Sequence, residues 1–420
     1  FLLSAVGLPV LGVAAVAMSG GLGRLGERVH PKFAFVFTLM IYLSIGPCLA
    51  IPRTASTSFE MAVLPYLGTA GRQWNEAAQL LYSAVFFVIA MALAFRPDKL
   101  TERLGKILCP TLLVLIAVIF TGCLIWPLGT SGAPAKDYAS HPAVKGFLEG
   151  YQTMDTIAAL NFGIVIALNI RAKGVQEDAQ VVRETIKAGV IAGILMAAVY
   201  AALAYIGAPA GVKMMYPGNG ARILTYVANS LFGNAGMVLL GLIFFIACLN
   251  TCVGLLSCCS QYFSSIIPFL GYRSWVAVFA GISLMISSVG LNQILAFSVP
   301  VLNAIYPVAI VLIALAFLNP LLSAWKRVYP CAILFTGTVS ALYALEQSGA
   351  LTGALVRAVG MIAGAGAGDV AAGAMRRFLA LVGLLPGYEA GLGWILPAAV
   401  GVAVGILMSH GGGGKASERS

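Results

Sequence analysis

Gly150-Tyr-Gln-Thr-Met-Asp-Thr-Ile-Ala-Ala-Leu-Asn-Phe-Gly163 opens a membrane-length apolar segment and carries an acid, two threonines and an asparagine inside it. A carboxylate at bilayer depth costs roughly 2.5 kcal/mol or more on insertion scales, so it normally faces a partner, an ion or a water-filled path rather than lipid. The stretch around Asp155 therefore reads as a transport site on a membrane helix.

The rest of the chain is built for the same environment. Mean hydropathy is +0.95, and 60% hydrophobic against 10% charged residues could not cover the surface of a 420-residue soluble domain. The expected class is an all-α polytopic membrane protein. Runs of about 18 or more apolar residues mark spanning helices. Eleven are expected, over 1–19, 33–61, 77–95, 107–127, 152–171, 187–207, 235–265, 274–290, 294–318, 328–346 and 379–409. Phe1 begins inside an apolar run with no basic segment before it, which leads us to expect a chain lacking an earlier helix.

Basic residues set the orientation. With the end of the first segment cytoplasmic, 16 of the 25 Lys and Arg residues lie inside and eight outside, while Arg53 lies within the membrane. That is the positive-inside pattern, so the net charge of +10 reports topology and not nucleic-acid binding. All eight cysteines fall inside expected spans, Cys109 just within the end of one, which argues against a disulfide framework. Cys248, Cys252 and Cys259 share a helix face, which admits a soft-metal site or, alternatively, small buried hydrophobes. No HExxH, GxSxG or Walker sequence is present, and the glycine-rich 360–373 stretch follows no strand, so an enzyme is not expected.

Three constellations stand out. Around Asp155, Thr153 and Thr156 an unwound turn would expose backbone groups able to hold a carboxylate at a half-helix N-terminus and a cation at carbonyl oxygens. The alternative is a plain N-cap at the membrane surface. In 45–60, Gly46-Pro47 and Pro52-Arg53 free carbonyls, and Arg53 and Glu60 can pair with each other or with Asp155, as a coupling pair or a structural ion pair. In the third, Ala247-Cys-Leu-Asn-Thr251, a freed carbonyl and a hydroxyl one turn apart suit a small hard cation, with packing by small residues as the alternative. An amphipathic stretch before Ser230 suggests an external helix, Val370 to Phe378 a short interfacial one, and 411–420 a flexible tail.

Taken together, Gly46-Pro-x-x-Ala-x-Pro-Arg-Thr-Ala-x-x-Ser-Phe-Glu60, Gly150-Tyr-x-Thr-Met-Asp-Thr-x-Ala-Ala-x-x-Phe-Gly163 and Ala247-Cys-Leu-x-Thr251 resemble the branched-chain amino acid:cation symporter family of bacteria, over essentially the whole chain. The resemblance implies a carrier in the bacterial inner (cytoplasmic) membrane for leucine, isoleucine and valine. It would be driven by Na+ or H+, with no other cofactor. It also implies twelve helices in a leucine-transporter-type five-plus-five inverted repeat, eleven of them present here. One transmembrane domain over 1–420 would hold the repeat core in 1–320 and two peripheral helices in 321–410. By that logic Met154, Asp155, Thr156 and Ala158 lie at the substrate and Gly46 and Pro47 face it. Ala247, Asn250 and Thr251 are cation-ligand candidates, although Asn250 stands where a hydroxyl is expected. An amino-acid-gated receptor or channel on the same scaffold is the competing expectation.

Overall fold

The computed structural model describes residues 1–410 apart from 68–71, 96, 135–136, 173, 176, 215–217 and 349–381. Among the described residues there is no strand. Inside a bilayer no water is available to the backbone, and a helix satisfies its own N–H and C=O groups. In chain order the helices are α1 (Leu8–Ser19), α2 (Leu22–Glu27), α3 (Pro31–Leu43), α4 (Ala50–Ala62), α5 (Leu64–Leu67) and α6 (Arg72–Ala94). There follow α7 (Pro97–Ile125), α8 (Asp137–Ser140), α9 (Pro142–Glu149), α10 (Asp155–Ala172), α11 (Asp178–Lys213) and α12 (Gly220–Ile266). The last are α13 (Tyr272–Ser287), α14 (Leu291–Leu322), α15 (Val328–Gln347) and α16 (Ile395–His410).

Six helical stretches of the described residues are long and apolar enough to cross a membrane: Pro31–Ala62, Trp74–Ala94, Asp178–Ala210, Gly220–Ile266, Leu291–Leu322 and Val328–Gln347. Leu3–Ser19, Pro110–Ile125, Tyr272–Ser287 and Ile395–His410 are shorter apolar helices. Large apolar side chains such as Ile191, Ile194, Leu334 and Leu407 are exposed, as lipid-facing positions require. Two expected spans shift. The helix expected over 379–409 is interrupted: residues 382–383 are helical, Gly387 (φ 75°) and Gly391 (φ 74°) then hold left-handed turns that a helix cannot include, and regular helix resumes at Ile395. The span expected from residue 152 begins at Asp155, and a separate helix, α9, precedes it. The expected interfacial helix at 370–378 and the tail 411–420 lie outside the described residues.

The chain divides into two units, the first comprising Phe1–Ile41, Lys136–Gly193 and Ser298–Ser420. In it α1 packs along α10, with Gly12 facing Ala159 and Gly163 facing Val16, and α15 packs along α16. At the second contact a Cβ on Gly405 would lie 2.5 Å from Val328 Cα, and one on Gly401 would lie 2.8 Å from Ala332 Cα. Only glycine permits so close an approach of two helix backbones, the arrangement membrane helices use in place of a hydrophobic driving force.

The second unit comprises Tyr42–Ala135 and Ile194–Phe297. Here α4 packs on α12, α6 on α13, and α7 on α12. Its core joins Met61, Leu115, Ile119, Val227, Leu240 and Ile243, with Leu224 and Ala228 from the first part of α12. That part is a distinct arm, since Gly233 (φ 61°, ψ −153°) interrupts α12. The amphipathic stretch before Ser230, expected to be a helix, is helical in this arm, 220–232.

Candidate functional site

In the first unit the polar segment is a helix break. The helix α9 tightens into a 3-10 turn over Gly150–Thr153, Met154 turns left-handed (φ 64°, ψ 6°), and α10 starts at Asp155. Met154 is the one non-glycine residue with positive φ among the described residues. A side chain in that region is strained by roughly 1–2 kcal/mol, and such strain clusters at functional sites. Local hydrogen bonds hold the conformation. The Thr153 hydroxyl donates to the Gly150 carbonyl at 2.9 Å, Met154 N–H donates to Tyr151 O at 3.1 Å, and Ala158 N–H donates to Met154 O at 3.0 Å.

Asp155 is thus the first residue of α10, not its cap; Met154 stands at the cap position, and the Thr153 hydroxyl lies 3.5 Å from the Asp155 amide. The carboxylate stands in the first turn, where the helix dipole favours negative charge. Thr156 is fully buried, with its hydroxyl 3.5 Å from Ser4 O, and Met154 is 5% exposed. Asp155 and Ala158 are half-buried.

Beside α9, in the same unit, lies a cavity of 770 Å³ whose walls include Lys145, Glu149, Gln152, Asn303, Tyr343 and Glu389. Lys145 pairs with Glu149 at 3.0 Å, and Asn303 donates to Gln347 at 2.7 Å. Tyr388, also in its wall, donates to Glu346 at 2.6 Å. Burial and that carboxylate raise its phenol above the ordinary tyrosine range.

In the second unit Gly46 and Pro47 fall in a disrupted π-helical turn, Ser44–Cys48, with Gly46 at φ −91°, ψ −127°. Pro47 removes an N–H from the ladder, and the Cys259 thiol approaches Gly46 so closely that a Cβ there would lie 3.0 Å from it. Past this kink α4 carries Arg53 and Glu60. Arg53 is within electrostatic reach of Cys248. The cation paired with Glu60 is Arg222 of the α12 arm, whose Nε–H donates to the carboxylate at 3.0 Å. The Asn219 side chain caps the same arm, accepting Arg222 N–H at 3.1 Å, and donates to Asn292 at 3.0 Å.

Ala247, Asn250 and Thr251 lie in regular helix, so the expected freed carbonyl is absent there; Ala247 O accepts the Thr251 hydroxyl at 3.0 Å. Asn250 Oδ1, by contrast, is buried without a hydrogen-bond partner, and so are Ser257 Oγ and Ser260 Oγ on the same helix. Among the described residues no group of three His, Cys, Asp or Glu stands close enough to hold a metal.

The sequence alone assigns no role to Arg222 or to Tyr306. The amphipathic stretch that carries Arg222 was the available signal for the first. For Tyr306, an aromatic with a hydroxyl between two prolines of one span, Pro300 and Pro307, was the only one.

Comparison with known proteins gives the chain its relatives. Residues 1–411 match the family model described as branched-chain amino acid transport protein. The branched-chain amino acid permease BraB of Bacillus subtilis (strain 168) is 38% identical over 97% of this chain and 86% of its own length. The branched-chain amino acid transport system 2 carrier protein of Pseudomonas aeruginosa is 37% identical over 97% and 86%. The permease BrnQ of Escherichia coli (strain K12) is 33% identical over 98% and 88%. These relatives are transporters, not enzymes, and with the apolar helices they make this a multi-pass membrane protein. The chain belongs to the branched-chain amino acid transport protein family.

Proposed function

We propose that this protein is a secondary active symporter that imports leucine, isoleucine and valine across the bacterial cytoplasmic membrane, coupled to Na+ or H+. The observation that carries the reading is the left-handed break at Met154 between α9 and α10. In a carrier, such a break turns a half-helix N-terminus and unpaired backbone toward a zwitterion. Met154, Asp155, Thr156 and Ala158 are then the substrate candidates at the break, and by the resemblance Gly46 and Pro47 are substrate candidates as well. Ala247, Asn250 and Thr251 are the cation candidates, with the orphaned Asn250 oxygen in their favour.

A five-plus-five repeat of the leucine-transporter type belongs to the same proposal. Counted as spans, α4 and α12 are five places apart, as are α6 and α13, and each pair packs together. Repeat-built carriers place substrate and ion at the interface of such repeats.

Uptake of radiolabelled leucine by the full-length protein in proteoliposomes tests the reading, with a Na+ gradient at equal pH and then a pH gradient without sodium. Accumulation under either gradient supports symport. Uptake indifferent to both gradients removes it.

A further inference from the structure

The phenol of Tyr306 is fully buried and takes no part in the contacts described above. Its ring, on α14, stacks on Tyr151 with centroids 4.4 Å apart and planes 19° from parallel. Tyr151 belongs to the 3-10 turn that ends at the Met154 break, so the stack fixes Tyr306 against that break. Its hydroxyl comes beside the Thr156 side chain and amide and within electrostatic reach of Asp155, yet makes no hydrogen bond of acceptable geometry. The Thr156 hydroxyl is turned to Ser4 O instead.

A buried hydroxyl without a partner is uncommon and calls for an explanation. What this one faces is the N-terminal turn of an 18-residue helix, where amides and dipole favour an anion. We infer that the Tyr306 hydroxyl donates to the carboxylate of the transported zwitterion as it docks on the first-turn amides of α10, with Asp155 the neighbouring acceptor for its ammonium group. The inference rests on the proposed function and adds to it a residue that recognises the carboxylate. The ring is held by stacking and the hydroxyl rotates freely, so the donor is in place before the ligand arrives. A bond from a phenol to a carboxylate is charge-assisted and stronger than one between neutral groups.

The test is binding of leucine and of leucinamide, which lacks the carboxylate, to the full-length protein in lipid nanodiscs. Tyr306→Phe keeps the ring stack and removes only the hydroxyl. The expected result is leucine binding weakened about tenfold, as the loss of one charge-assisted bond implies, with leucinamide binding unchanged within about twofold. Tyr151→Phe, which removes another buried unpaired hydroxyl, is expected to leave the leucine-to-leucinamide ratio as in wild type. Thermal unfolding read alongside should show Tyr306→Phe as stable as wild type, since its hydroxyl has no partner to lose. Equal weakening of both ligands by Tyr306→Phe, or no change in either, overturns the inference. Wild-type protein that binds no leucine is a different failure, because it removes the proposed function before any variant is compared.

Discussion

Arg222 and Glu60, 162 residues apart in sequence, are joined by a 3.0 Å charge-assisted hydrogen bond that ties the α12 arm to the end of α4. The glutamate side chain is 10% exposed and the arginine 45%, so the acid is desolvated far more than its partner. Gly233 interrupts the helix behind the arm, so the ion pair and the Asn219–Asn292 bond add to the apolar packing of Ala221 and Leu224 in holding the arm's tip. Removing the arginine alone strands a buried carboxylate. Arg222→Met should therefore destabilise the protein by about 1–3 kcal/mol, the range for a polar group left unsatisfied, reduced from a fully buried pair because arginine is partly solvated. Adding Glu60→Gln should recover part of the loss. Thermal unfolding in detergent checks both, and equal stability of Arg222→Met and wild type would show that the pair contributes nothing.

Asp155→Asn should lower leucine uptake by roughly tenfold or more while folded protein still reaches the membrane. The substitution keeps the volume of the side chain and removes the charge that an ammonium group would meet, an interaction worth at least the roughly 1.4 kcal/mol of a tenfold change. Uptake in proteoliposomes, normalised to folded protein, is the measurement. Wild-type uptake in the variant would return Asp155 to a purely local role in the first turn of α10.

Asn250→Ala tests the cation candidates separately from the substrate. The side-chain oxygen is buried and unpartnered, so its loss should cost the fold little. If that oxygen ligates sodium, the sodium concentration giving half-maximal leucine binding should rise about tenfold, the effect of one lost ligand. Leucine affinity at saturating sodium should stay near wild type. Linkage requires that sodium tighten leucine as much as leucine tightens sodium, which calorimetry with either ligand first can verify.

Gly405→Leu places a side chain where a Cβ would already lie 2.5 Å from Val328 Cα. The α15 and α16 backbones must separate, at a cost of about 1–3 kcal/mol typical of overpacking. Leu407→Ala, on the same helix at a position 70% exposed, is the control. It should leave the unfolding temperature nearly unchanged, and a Gly405→Leu variant as stable as wild type would argue that the helices are not held at this distance.

Much of this architecture is legible in the chain because a bilayer enforces it. Apolar runs long enough to span must be helical, and the helices found coincide with most expected spans. The polar cluster at Gly150–Gly163 likewise marked the neighbourhood of the helix break, since acid and hydroxyl groups are costly within an apolar segment. Its internal geometry was less accessible. Methionine rarely adopts a left-handed conformation, so nothing local marked Met154 as the turning residue. The eight-residue helix α9 is too short and too polar to stand out as part of a span, since it contains Lys145 and Glu149, which pair at 3.0 Å one helical turn apart.

The sequence by itself determined the helical class, the family and the neighbourhood of the break, because each depends on local hydropathy or contiguous motifs. Tertiary structure alone decided which buried groups meet: Glu60 with Arg222, Tyr306 with the Met154–Thr156 turn, Gly405 with Val328. Those pairings are set by how helices distant in sequence pack and rotate, and hydrophobic periodicity constrains a helix's buried face without naming the neighbour it buries against.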